Sequence, residues 1–194
     1  NVISREEAAE GGCGVIGIAC SEQIAGRHLL QSLTQMRNRG NGKGGGVAAV
    51  GLVPEEFVVS QQVMEEDYLI AVAYLDASVR AEVEQTSIET EFVIDHIREQ
   101  PHILDYTTLD GLAIQPPYVV YYFVRIKPGV IEEYIRSNNL DNAPRRQVED
   151  EIVYQNTFKL NTKYYASTGE TRAFVLSHGK NLLVLKMVGY GDDV

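Results

Sequence analysis

GGCGVIGIACSEQIAGRHLLQSLTQMRNRGNGKGGG, residues 11–46, is the stretch from which the rest of the chain is read. It opens on Cys13 with Gly11, Gly12 and Gly14 around it, and small neighbours let a backbone or a ligand come close to the sulfur. Val15, Ile16 and Ile18 predict a short apolar strand, too short for a helix of its own. Ser21 is a good N-cap with Glu22 in the first turn, and Ala25, Leu29, Leu33 and Met36 then fall on one helical face. Arg37 and Arg39 stand where cations complement a helix C-terminus, and Gly40 is the expected stop.

The chain has 194 residues, which allows one domain or one domain carrying an insert. An apolar content of 44% argues for a globular core. The net charge of −10 disfavours nucleic acid and anionic membranes as partners. No apolar run is long enough to span a bilayer, so no membrane partner is expected. The first twelve residues are too charged for a secretion signal. Cys13 and Cys20 on an extended strand would stand roughly 20 Å apart, too far for a disulfide, so a reducing cytoplasm is the expected location.

Residues 1–12 contain Glu6, Glu7 and Glu10, and Ser4 with Glu7 has the spacing of a capping box. They read either as an ordinary N-terminal arm or as a leader removed ahead of Cys13. Residues 44–52 predict a strand of small residues. The preceding glycines around Lys43 resemble a phosphate loop, but no Ser or Thr follows the lysine and a strand follows the loop, so no nucleotide is expected there. Pro54, Glu55 and Glu56 mark a turn. Strands are expected over 68–75, 91–97 and 118–126, and helices over 76–85, over 129–138 behind Pro128, and again from 142–144 onward. Residues 101–117 read as loop. Strand-then-helix thus occurs twice, a split β-α-β layout. Tyr118, Tyr121, Tyr122 and Phe123 read as sheet face and core more than as a stacking surface. Residues 172–177 and 182–188 predict a hairpin turning at His178, Gly179, Lys180 and Asn181. The acidic clusters 65–67, 149–151 and 192–193 read as solvated faces, and no Cys or His spacing suits a metal or an iron–sulfur cluster.

Two segments carry a family resemblance. Cys13-Gly14-Val15-Ile16-Gly17-Ile18-Ala19 resembles the start of a class II glutamine amidotransferase, an N-terminal-nucleophile hydrolase. Met36-Arg37-Asn38-Arg39-Gly40-Asn41-Gly42 is similar to that family's arginine–glycine turn, at a fitting distance from the cysteine. Residues 171–194 and the long stretch before them are most similar to the amidotransferase-like relatives of archaeal-type glutamate synthase. The resemblance implies an α+β fold, an αββα sandwich of the N-terminal-nucleophile kind with an inserted α+β subdomain. The expected organisation is a leader at 1–12, an amidotransferase domain from 13–66 and 166–194 with its last part lying beyond Val194, and an insert at 67–165.

In such a family Cys13 is the nucleophile, and its own α-amine, with an ordinary pKa near 8, moves the proton. That chemistry needs the amine free, hence cleavage between Gly12 and Cys13. Arg39 and Gly40 take the structural or substrate-binding role of the turn. The expected substrate is glutamine, the expected partner a synthase subunit or domain receiving ammonia, and no cofactor or metal is implied for this chain. The family's carboxylate-clamping arginine, Asn-Gly oxyanion pair and amine-binding aspartate have no matching context after Cys13, so they are expected past Val194. An oxyanion donor is worth about 3–4 kcal/mol of barrier, so this chain alone would turn over poorly. The alternative is a non-catalytic binding or regulatory relative in which Cys13 is never unmasked. A third reading of Cys13, from its surroundings alone, is a small buried hydrophobe at a strand start; Cys20 carries only that reading.

Overall fold

The computed structural model describes residues 13–39, 44–101, 103, 105–108, 114–167 and 169–187. The expected leader, Gly40 with Asn41 and Gly42, Lys43, and the last residues from 188 lie outside the described residues. The chain is α+β with antiparallel sheets. It divides into two compact bodies, one drawn from 1–47, 106–114 and 185–194, the other from 48–105 and 115–184.

In the second body four strands pair in the order β3 (Phe92–Glu99), β4 (Tyr118–Ile126), β2 (Tyr68–Tyr74), β5 (Ala173–Lys180). Every neighbouring pair is antiparallel. Helical segments cross between β2 and β3 and between β4 and β5, so the chain runs β-α-β-β-α-β with the outer strands last in each half. This is the ferredoxin-like, split β-α-β arrangement that the twofold strand-then-helix pattern predicts. Its fourth strand is supplied by residues 173–180, so the sheet reaches past residue 165.

Alternation along the two central strands sorts the core into two layers. Tyr68, Ile70, Val72 and Tyr74 of β2, with Val120, Tyr122, Val124 and Ile126 of β4, pack against the crossing helices. Leu69, Ala71 and Ala73, with Val119, Tyr121 and Phe123, pack on the other face against Phe57 and Met64. Those two come from α2 (Pro54–Phe57) and α3 (Gln61–Glu66), so the expected turn at Pro54 is a helix start, with proline at its first position. The side chain of Ser60 caps α3 by accepting from Val63 N–H at 3.2 Å.

The expected helix over 76–85 is a composite. Asp76 caps it through Ser78 N–H at 2.9 Å, a 3-10 turn follows, then α4 (Arg80–Val83), then a wide turn over Glu84–Ile88 in which Glu89 N–H bonds Glu84 O, five residues back. Such a turn leaves a carbonyl free of its usual partner. The buried Asn156 of α6 (Arg145–Tyr164) takes one of them, donating to Ser87 O at 2.7 Å. The second crossover is α5 (Pro128–Asn138) and α6, and Leu160 is among the α6 residues buried on the sheet. The expected start of this helix at 142–144 moves to Arg145, because Pro144 caps it from an extended conformation.

No hairpin forms at 178–181. β6 (Leu182–Met187) follows β5 after Asn181 alone and pairs with β1 (Gly45–Val50) in a separate two-stranded sheet. Asn181 adopts a left-handed conformation, φ 51°, and its Oδ1 accepts Leu52 N–H at 2.6 Å, so the chain switches sheets there. Strand β1 comes so close to β6 that a Cβ on Gly46 would stand 2.5 Å from Leu185 O, which reserves that position for glycine.

The first body lacks the expected strand at 15–18. Residues 13–20 have no regular structure, Val15 is 92% exposed and Ile18 is exposed too. A strand is stabilised by a partner ladder and a face to bury, and this segment has no ladder among the described residues. The helix expected from Ser21 begins six residues later, as α1 (Arg27–Leu33) behind Gly26, and tightens into a 3-10 turn over Thr34–Arg39. Leu29, Leu33 and Met36 of the expected apolar face are half-buried, and Ala25 is exposed.

Truncating Leu160 to Ala should lower the unfolding free energy by about 2–5 kcal/mol, read from the urea midpoint. Val58 is a β-branched residue at φ 59° and is 75% exposed. The left-handed penalty of about 1–2 kcal/mol outweighs the backbone entropy that glycine adds, about 0.5–1 kcal/mol. Val58→Gly should therefore raise the same midpoint, by about 0.5–1 kcal/mol in stability.

Candidate functional site

Cys13 and Cys20 are free thiols and both are exposed, which sets aside the buried-hydrophobe reading of each. Next to Cys13, Gly14 rests on the turn that ends the first helical segment. A Cβ built on Gly14 would stand 2.5 Å from Met36 Sδ and 3.4 Å from Arg39 Cβ. The cysteine segment and the arginine turn, about two dozen residues apart in the chain, thus meet at Gly14. Their meeting depends on the half-turn geometry of α1 and the 3-10 segment, which bring Met36 and Arg39 to the side where Gly14 lies. Arg39 is exposed; Gly40 lies outside the described residues.

The histidines take separate places. His96 packs its ring on Phe123 with centroids 6.0 Å apart, and His178 bonds Thr157. His102 lies outside the described residues. Among the described residues no group of three or more His, Cys, Asp or Glu is arranged to hold a metal ion.

One acidic cluster departs from its expected solvated face. Asp67, after α3, is 2% exposed and its Oδ2 has no hydrogen-bond partner. Burial, then the charge of Asp95 and a hydrogen bond to it, push its carboxyl up to about 7 from an ordinary 3.8. Asp95 is the extra residue of a bulge between β3 and β4, where the register slips between Ile94 and His96. Arg125 on β4 donates to both Asp95 oxygens, Nη2 at 2.7 Å, and holds that carboxylate below its ordinary value. Asp67 therefore carries the shared proton while Asp95 stays ionised against Arg125. Sequence pattern could not show this, because the bulge that turns Asp95 toward Asp67 exists only once β3 and β4 pair.

A second polar set crosses the helix-side core. Arg80 donates to Glu84 at 2.7 Å, to Glu99 at 2.6 Å and to the Tyr118 hydroxyl at 2.7 Å. Tyr122 donates to the same Glu84 oxygen at 2.8 Å and meets the Tyr74 hydroxyl at 2.8 Å. Every member has a partner, so the set acts to lock the composite helix onto β2 and β4.

No family model matches the chain. An uncharacterized protein of Archaeoglobus fulgidus is 25% identical to it over 185 residues, covering 94% of this chain and 41% of its own length. The chain thus spans about two fifths of the curated relative it matches. No helix among the described residues is long and apolar enough to cross a membrane.

Between pH 3.8 and about 7 the folded chain holds one proton, on Asp67, that the unfolded chain has released. Stability therefore falls as pH rises through that window and levels above it. Asp67→Asn should flatten the dependence and be the more stable form at pH 8. Urea unfolding of both forms from pH 4.5 to 8 reads this directly.

Proposed function

We propose that this chain carries the glutaminase module of a class II glutamine amidotransferase, with Cys13 as nucleophile once the bond to Gly12 is cleaved. The observation that supports it most is the seat of Gly14 on Met36 and Arg39, beside an exposed thiol. The cysteine segment and the arginine turn are both among the parts of the sequence that resemble this family, and they are neighbours. An αββα sandwich of the N-terminal-nucleophile kind would enclose them, with β1 and β6 among its strands and the ferredoxin-like body as its insert.

In this reading the Cys13 sulfur attacks the carboxamide carbon of glutamine. The α-amine of the same residue takes the thiol proton and delivers it to the departing ammonia. Water then cleaves the thioester to glutamate, and thiol and amine are restored. Arg39 and Gly40 hold the turn that backs the nucleophile segment. Ammonia passes to a synthase domain or subunit, in the cytoplasm, and neither nucleic acid nor membrane takes part.

The full-length natural protein provides the test. Its mature chain should begin at Cys13 by N-terminal sequencing. The glutamine analogue 6-diazo-5-oxo-L-norleucine should add to Cys13, located by peptide mass. Cys13→Ala should abolish the adduct and lower glutamate release at least about a thousandfold. Glutamine hydrolysis by a chain still bonded to Gly12 would falsify the mechanism. A chain that keeps residues 1–12 and is inert toward glutamine and analogue assigns the non-catalytic role instead.

A further inference from the structure

The second body holds a cleft of about 250 Å³ between α6 and the β5–β6 segment. Tyr154 and Phe158, one helical turn apart, form one wall, with rings 6.3 Å apart and 28° from parallel. They are 49% and 56% exposed, so two large rings stand open toward solvent beside a concave surface. The floor is apolar, made by Val175, Leu182 and Val184. His178 also lines the cleft, its ring edge-on to Tyr154 at 6.4 Å and 68°.

Thr157 spends its single hydroxyl proton on Tyr154 O at 3.0 Å. The same oxygen lies 3.0 Å from His178 Nδ1 and accepts there when the ring proton is on Nδ1. In that tautomer Nε2 carries a lone pair. Burial holds His178 below its ordinary pKa, which keeps the ring neutral at pH 7. Asn161 accepts Val175 N–H through Oδ1 at 2.8 Å, so its amide hydrogens are left to donate. Ser177 accepts Val184 N–H at 3.2 Å and keeps its own proton to give. The cleft therefore offers one acceptor, donors beside it and a flat aromatic wall, and no Asp, Glu, Lys or Arg lines it.

From this arrangement we infer that the cleft is a binding site for a small, neutral, planar nitrogen heterocycle of the nucleobase type. The ring stacks on Tyr154 and Phe158, a donor on its edge meets His178 Nε2, and an acceptor meets Asn161. A volume of this size suits one or two fused rings rather than a whole nucleotide. The absence of a cation among the lining residues turns away a phosphate or carboxylate. From the sequence His178 reads only as a turn residue. This inference uses no residue of the glutaminase reading and stands or falls without it.

Adenine and uracil titrated into the full chain, followed by ligand-observed NMR and by the ring signals of His178, form the test. At least one should bind saturably with Kd below about 1 mM and shift the His178 resonances. Phe158→Leu keeps apolar bulk but removes the flat face, and should weaken binding about tenfold with an unchanged melting temperature. His178→Ala should do the same by removing the acceptor. No saturation by either base up to about 5 mM overturns the site. So does equal affinity in the Phe158→Leu chain. AMP binding more tightly than adenine overturns the neutral-ligand class.

Discussion

A strand buried on both faces sets the terms for the larger body. All seven residues of β2 are buried, so water must be kept from both sides of the sheet at once. An apolar surface of that extent is stable only when a layer covers each face. On one side the composite helix, α5 and α6 supply it; on the other, α2 and α3 do. The β-α-β-β-α-β order meets that demand, since each crossover lays a helical layer on the sheet and delivers the chain to an edge strand, β3 beside β4 and β5 beside β2. The hydroxyls of Tyr74 and Tyr122 end within this core, where an unpaired oxygen would be costly, and the Glu84–Arg80 set meets that need.

The smaller body works by different rules. Among the described residues its cysteine segment has no ladder and its first helix has no fully buried residue, while close contacts are present. Gly14 on Met36 and Arg39 is one such contact, and Gly46 on the Leu185 carbonyl is another. At Gly46 the missing Cβ allows an approach to backbone that any other residue would block, whereas at Gly14 the neighbour is the end of a flexible methionine side chain. The apolar residues Val15 and Ile18 of this stretch stand exposed.

Much of the ferredoxin-like body was legible. β2 and β4 announce themselves through runs of β-branched and aromatic residues, and Pro128 marks the entry of α5. Residues 118–126 form a strand over their full expected span. Cys13 was legible as a cysteine in a glycine-rich setting, and its exposure came from the structure. What escaped were features that short-range pattern does not encode. The helices at Pro54 and Gln61 are too short for periodicity to reveal. The wide turn at Glu84–Ile88 is shaped by contacts with Asn156 and Tyr122, far away in sequence.

The sequence by itself determined the mixed α+β class and the central strands. These depend on local preference and on the twofold alternation of side chains, which a linear string records. Only the tertiary structure decided that residues 178–181 switch sheets instead of closing a hairpin. It alone decided that Asp67 is buried against Asp95, and that His178, Tyr154 and Phe158 frame one cleft. Each of those outcomes depends on which segments become neighbours. That choice is made by the packing of whole layers, where burying an apolar face outweighs the local preference of a four-residue turn.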